Sequence, residues 1–248
     1  LADFVASTDV LAQRMIGEAL ARDFPEIPFV GEEGEQRLSK QPAYFLVDPI
    51  DGTSNFVALR DYFSCCAAYV ENEEVVAAVI SDPIRGSIVK AYKGSGVLKT
   101  TLDSPLAGIA LPKLPDDIGA LHKYQLECEL AMNSAHHFSI IEAIVPKMSG
   151  MRKSGSTALD MANMAMGRRV VLVSSTLSPT LYKVAIVPTN TSLAANEVMR
   201  AIPIFQSNPS GLITGSMALP NVPAKEFCNM AVFLSRVISS AWLGLFFI

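Results

Sequence analysis

The chain has 248 residues, half of them hydrophobic and 18% charged, with a formal charge of −4. This composition excludes a disordered polymer and leaves ample length for a buried core, in one large domain or two closely packed halves. The mild negative charge gives no footing for nucleic acid or an anionic membrane, so neither is expected as a partner.

The four cysteines, Cys65, Cys66, Cys128 and Cys228, show no CxxC metal spacing, and reduced thiols in the core of a cytoplasmic protein are expected. The first residues carry neither the basic start nor the long apolar run of a secretory leader. The terminal VISSAWLGLFFI is apolar for only 12 residues after Arg236, short for a membrane span and expected to be a buried strand or helix. Acid is unevenly placed: residues 1–169 hold 22 Asp and Glu against 16 Lys and Arg, whereas residues 170–248 hold 2 against 4, with no aspartate after Asp160.

In chain order, residues 8–24 predict a helix, with Leu11, Met15, Ile16, Leu20 and Phe24 near a 3.6-residue period, Thr8 or Asp9 as cap, and Pro25 and Pro28 as stop. PFVGEEGEQ predicts a short strand, a turn at Gly31 and an acidic loop. Residues 43–47, AYFLV, predict a strand apolar on both faces, as inside a sheet. Residues 63–70, 75–81 and 87–92 predict an antiparallel meander, turning at Asn72 and at DPIRG. Residues 101–125 carry no clear period. A helix is expected within 127–148, up to Pro146, and another over 156–168, with Ser156 or Thr157 at its start and Gly167 at its end. Beyond 170, VVLV and YKVAIV read as strands, and LAANEVMRAI and EFCNMAVFLSRVI as helices. Mixed α and β in layers is the expected class.

The stretch FLVDPIDGTSNF, residues 45–56, runs three apolar residues into Asp48, with Asp51 three residues later and then Gly52 and Thr53. Two carboxylates at a strand end suit a hard cation such as Mg²⁺, and a Gly-Thr turn can aim backbone N–H groups at an anion. GEEGE at 31–35 offers a further carboxylate. The same residues are also ordinary turn chemistry, and spacing alone leaves both readings open. An EF-hand loop is excluded by Pro49 and Ile50, and a P-loop by the lack of Gly-Lys-Ser/Thr.

DPIDGTSNF closely resembles the signature of the inositol monophosphatase family of Mg²⁺-dependent sugar phosphatases. GEE at 31–33, DFVASTD at 3–9, EEVVAAVISDPIRGSIVKAYKGSGV at 73–97 and GSTALDMANMAMGR at 155–168 are similar to further segments of that family, in the same order. The resemblance implies an α/β (α+β) fold, an αβαβα layered sandwich, usually a homodimer. It implies hydrolysis of a small phosphate ester by metal-activated water, with two or three Mg²⁺ ions. It implies a first metal held by Glu32, Asp48 and the carbonyl of Ile50, and a second shared by Asp48 and Asp51. Glu32 and Thr53 would orient and deprotonate the water. Gly52, Thr53 and Ser54 would hold phosphate, and Gly155, Ser156 and Thr157 would lie near substrate hydroxyls. An α+β half over 1–100 would carry the metal motifs, and a half over 101–248 would complete the substrate site. No nucleophilic Ser, Cys or His is required, and His122, His136 and His137 lie apart from the motifs.

The pattern breaks in one place. The family has a Trp-Asp about a dozen residues after the Gly-Arg that ends the 155–168 segment, and its Asp completes the second metal site. Thr180 and Leu181 stand there, and the sugar-contacting Glu falls at about Ser174. A leucine cannot ligate a cation. The chain is therefore expected to be a weak phosphatase, with Glu197 as a possible substitute ligand, or a phosphate- or metal-binding relative without turnover.

Overall fold

The structure, a computed structural model, describes residues 2–31, 41–72, 74–92, 96–101, 109–110, 121–129, 135–166, 168 and 170–174. The first sheet has seven strands lying in chain order: β1 (Phe29–Gly31), β2 (Ala43–Asp51), β3 (Ser64–Glu71), β4 (Glu74–Asp82), β5 (Ser87–Tyr92), β6 (Gly96–Thr101) and β7 (Ile109–Ala110). β1 and β2 are parallel, and every later neighbour is antiparallel. The expected meander is therefore present as β3, β4 and β5, with Asn72 at φ +49° in its first turn. β6 and β7 extend it, β7 within the stretch that shows no period.

Alternation along β2 builds two cores. Phe45 and Val47 point to one face, where Ile16 and Leu20 of α1 (Ala2–Asp23) close over Cys65, Ala67 and Tyr69. Tyr44 and Leu46 point to the other, where Ala158, Leu159 and Ala162 of α4 (Thr157–Ala165) pack on Cys66, Ala68 and Val70. Period-2 alternation in a strand covered on both sides requires both sets to be apolar. Removing each of these side chains from water is worth about 1.5–3 kcal/mol for a Val, Leu, Ile or Phe. The expected cap at Thr8 or Asp9 is corrected: the helix begins at Ala2, and Asp9 lies buried within it. No Gly or Pro interrupts residues 2–16, so a lone capping-type residue does not set the start.

The second sheet is parallel, in the order β10 (Val170–Ser174), β8 (Gln125–Glu129), β9 (Gly150–Arg152). Leu126 and Cys128 turn one face toward Ile141 and Ile144 of α3 (Ala135–Ile144). α4 packs on β10 as well as on β3 and β4. The layers thus run α1, first sheet, α4, second sheet, α3: the αβαβα sandwich. The helix expected within 127–148 is present from Ala135, and its final turn tightens to a 3₁₀ turn at Val145–Lys147, around Pro146. Residues 127–129 are strand rather than helix, because Leu126 and Cys128 follow the period of two.

Cys65, Cys66 and Cys128 are buried, as anticipated for core thiols. No helix among the described residues is long and apolar enough to cross a membrane. The elements expected over 182–187, 193–202 and 226–238, and the terminal apolar stretch, lie outside the described residues.

Candidate active site

Two carboxylates three residues apart on a regular strand point to opposite faces. β2 is not regular where it matters. Asp48 pairs with Cys66 and Asp51 with Ser64, so three steps along β2 match two along β3, and the register shifts between the aspartates. Pro49, which has no N–H to give the ladder, lies in this bulge. The extra residue moves Ile50 to the α1 core and Asp51 to the α4 side, the face to which Asp48 already belongs. Both aspartates are buried, 3% and 5% exposed.

Three donors converge on one oxygen of Asp51. Its Oδ2 accepts from the Ser64 hydroxyl on β3 at 3.2 Å, from the backbone N–H of Ala158 in the first turn of α4 at 3.0 Å, and from the Ser156 hydroxyl. Ser156 is the N-cap of α4 and accepts from the N–H of Leu159 at 3.4 Å. A carboxylate at a helix N-terminus is also favoured by the helix dipole. Asp48 Oδ1 accepts from the N–H of Ile50 at 3.1 Å, and the Thr53 hydroxyl donates to the carbonyl of Ile50 at 3.0 Å.

After Asp51 the chain turns at Gly52, φ +94°, into the short helix α2 (Thr53–Val57). The N–H groups of Asn55 and Phe56 both close on the carbonyl of Gly52, so the amides of Gly52, Thr53 and Ser54 lead the helix. Asn55 is buried, and its amide nitrogen bridges the carbonyls of Tyr62 at 2.7 Å and Ser154 at 2.8 Å. It thereby ties the DGT turn to the loop before α4.

Behind that loop is a second polar cluster. Asp160, fully buried, accepts from the Tyr62 hydroxyl at 2.8 Å and the Ser154 hydroxyl at 2.5 Å. Asn163 donates to the Tyr62 oxygen at 3.1 Å. Burial, first of all, pushes the Tyr62 hydroxyl well above its ordinary pKa; the charge of Asp160, their hydrogen bond and the charge of Glu127 add to this, and Arg85 opposes it. The Arg85 guanidinium lies 5.7 Å from the Tyr62 ring centroid and pairs with Asp82 at 3.0 Å.

The structure therefore brings Asp48, Ile50, Asp51, Gly52, Thr53, Gly155 and Ser156 together, with Ser54 exposed on α2 and Thr157 opening α4. Glu32, Leu181 and Glu197 lie outside the described residues. Ser174, at the position of the sugar-contacting Glu, ends β10. His122 is exposed in a 3₁₀ turn, and His136 and His137 begin α3. Sequence reasoning missed Ser64, Ser154 and Tyr62, which act through other residues rather than through a motif. It placed Asp160 in the 155–168 helix without a role. A proline between two aspartates at a strand end was the available signal for the bulge. The donors at the turn, carboxylate and carbonyl oxygens, are the hard set that suits Mg²⁺. Among the described residues no group of three or more His, Cys, Asp or Glu meets at one point, so Asp48, Asp51 and the Ile50 carbonyl are the described part of any such site.

A profile of the inositol monophosphatase family matches residues 1–183. A protein named Nus factor SuhB from Xylella fastidiosa is 30% identical over 166 residues, 67% of this chain and 58% of its own length. An inositol-1-monophosphatase from Rhizobium meliloti is 30% identical over 178 residues, 67% of this chain and 61% of its own. The chain thus spans about three fifths of the length of these curated relatives. The crystal structure of the extragenic suppressor protein suhB from Bartonella henselae superposes with a TM-score of 0.65 at 25% identity, covering 75% of this chain and 73% of that one.

Proposed function

The chain belongs to the inositol monophosphatase family, and we propose that it is a Mg²⁺-dependent hydrolase of a small sugar or inositol phosphate monoester. The observation that carries this is the bulge at Pro49, which puts the buried carboxylates of Asp48 and Asp51 on one face beside the Gly52–Thr53 turn. Two neighbouring buried carboxylates call for a compensating cation, and a phosphate ester dianion calls for the same charge.

In this reading Asp48, Asp51, the carbonyl of Ile50 and Glu32 hold the metal. Bound there, Mg²⁺ lowers the pKa of water and offsets phosphate charge, which is most of what phosphoryl transfer asks of a catalyst. The chain supplies the positioning. Thr53 and Glu32 orient the attacking water and accept its proton. The amides leading α2, at Gly52, Thr53 and Ser54, receive the phosphate oxygens. Gly155, Ser156 and Thr157, across the turn, border the hydroxyl-bearing part of the substrate. Inositol 1-phosphate is the first candidate substrate and fructose 1,6-bisphosphate the second. A homodimer and a cytoplasmic location accompany this reading.

The test is phosphate release from both esters with and without Mg²⁺. Asp51→Asn keeps an oxygen to accept from Ser64, Ser156 and Ala158, so the variant should fold while its Mg²⁺-dependent rate falls on the order of 1000-fold. Hydrolysis at the wild-type rate in Asp51→Asn would refute the assignment. A second reading, a phosphate- or metal-binding protein without turnover, is favoured by Leu181 at the position of a metal-ligand aspartate. It predicts Mg²⁺ binding with no phosphate release.

A further inference from the structure

We propose that Ser64 and Ser156 are positioning residues for the metal site: their hydroxyls, with the Ala158 N–H, anchor Oδ2 of Asp51 and thereby direct the other carboxylate oxygen toward the divalent cation. The inference rests on the metal-site reading above and assigns Ser156 a role beyond bordering the substrate.

The geometry sets three donors on one oxygen, each from a different element. Ser64 comes from β3, Ser156 from the loop before α4, and Ala158 from the first turn of α4. Ser64 and Ser156 are fully buried, and Ala158 is 1% exposed. Their hydroxyls are also within 3.4 Å of each other, so they close round the same oxygen. A carboxylate pinned at one oxygen by fixed donors cannot rotate about its Cβ–Cγ bond, and the direction of its second oxygen follows. Outer partners of this kind tune ligand orientation and metal affinity, and losing one costs about 10- to 100-fold in affinity.

The serines do not have the same structural duties. Ser156 also caps α4 through Leu159, so Ser156→Ala removes a cap as well as a donor. Ser64 has no capping role, and Ser64→Ala therefore isolates the effect on Asp51.

The experiment is titration of the full chain with Mn²⁺ alone, followed by electron paramagnetic resonance, for wild type, Ser64→Ala, Ser156→Ala and Ser156→Thr. Metal-free thermal midpoints are recorded alongside. Ser64→Ala is expected to weaken Mn²⁺ binding by at least about 10-fold with little change in the metal-free midpoint. Ser156→Ala is expected to weaken it at least as much, and Ser156→Thr, which keeps the hydroxyl, to recover affinity. In a hydrolysis assay of Ser64→Ala, the half-saturating Mg²⁺ concentration should rise while KM for the ester at saturating Mg²⁺ stays put. Mn²⁺ affinity within about twofold of wild type in Ser64→Ala overturns the proposal, whether or not Ser156→Ala folds. No Mn²⁺ binding by wild type would instead overturn the metal-site reading itself, and this proposal with it.

Discussion

Gly52 and Gly155 meet backbone to backbone: a Cβ on Gly52 would lie 2.9 Å from the carbonyl oxygen of Gly155 and 3.2 Å from Cβ of Ser156. Both glycines have positive φ, +94° and +87°. The DGT turn and the loop before α4 are therefore in contact at a distance that only a residue without a side chain allows. Gly52→Ala combines left-handed strain with overlap against backbone that cannot give way. It should cost about 2–4 kcal/mol. Gly155→Ala would bring a Cβ to 2.7 Å from the amide nitrogen of Asn55, displacing the group that holds Tyr62 and Ser154, and should cost about 2 kcal/mol or more. Urea unfolding measures both, and a loss below about 0.5 kcal/mol in Gly52→Ala would show that the turn does not depend on this contact.

Much of this site was legible because it is local. Asp48, Asp51, Gly52 and Thr53 stand within six residues, and the chemistry of a carboxylate pair beside a glycine turn can be read along the chain. What was not legible is long-range. That Asp51 faces the same way as Asp48 depends on a register against Cys66 and Ser64, which a strand-by-strand reading cannot see. Ser156 lies 105 residues from the aspartate it holds, and nothing in its own neighbourhood announces that. The fold divides in the same way. β2 through β5 were plain from their apolar runs and the turn residues between them. β7 was missed because 101–125 shows no period, β6 because the meander was read only as far as residue 92, and β8 because a helix was expected within 127–148 although Leu126 and Cys128 alternate with polar residues.

The Tyr62–Asp160 pair predicts a sensitivity to alkali. Burial raises the Tyr62 pKa, so the folded protein keeps this proton at pH values where the unfolded chain, titrating near pH 10, has released it. Tyr69 is pushed up to about 12, mainly by burial and then by Glu71. The folded state thus binds more protons above about pH 10, and stability must fall as pH rises through that region. The stabilisation is complete below pH 10 and is lost on the way up. Tyr62→Phe should be less stable at pH 7 by about 1–3 kcal/mol, since Asp160 loses a buried donor. Its stability should also decline less steeply between pH 10 and 12 than that of wild type. Equal slopes in urea midpoints over that range would contradict the assignment to Tyr62.

Leu59 occupies the position after the end of α2 with φ +56°, and its side chain is 95% exposed. Its N–H bonds to the carbonyl of Phe56 and that of Arg60 to the carbonyl of Asn55, so this is a left-handed helix terminus of the kind glycine favours. The leucine gains nothing from burial there and bears the left-handed cost. Leu59→Gly relieves about 1–2 kcal/mol of strain and returns part of it as unfolded-state entropy, a net gain of about 0.5–1 kcal/mol. A higher urea midpoint with unchanged slope is expected. A lower one would mean that the side chain makes a contact worth more than the strain.

Leu181 stands where the family resemblance places a metal-ligand aspartate. A second divalent site that lacks one carboxylate binds its ion more weakly, and each metal stabilises several kcal/mol of transition-state charge. Leu181→Asp should therefore raise both Mn²⁺ affinity and Mg²⁺-dependent turnover, each by about 10-fold or more, while Leu181→Asn, polar but neutral, should give much less. If Glu197 already stands in for the missing ligand, Glu197→Gln will lower the wild-type rate, and Leu181→Asp will rescue it. The measurement is phosphate release alongside Mn²⁺ titration, on protein whose intact mass agrees with 26.6 kDa for the wild-type chain. If Leu181→Asp folds and gains neither affinity nor rate, position 181 is not the missing ligand. The reading without turnover then becomes the stronger one if wild type also releases no phosphate.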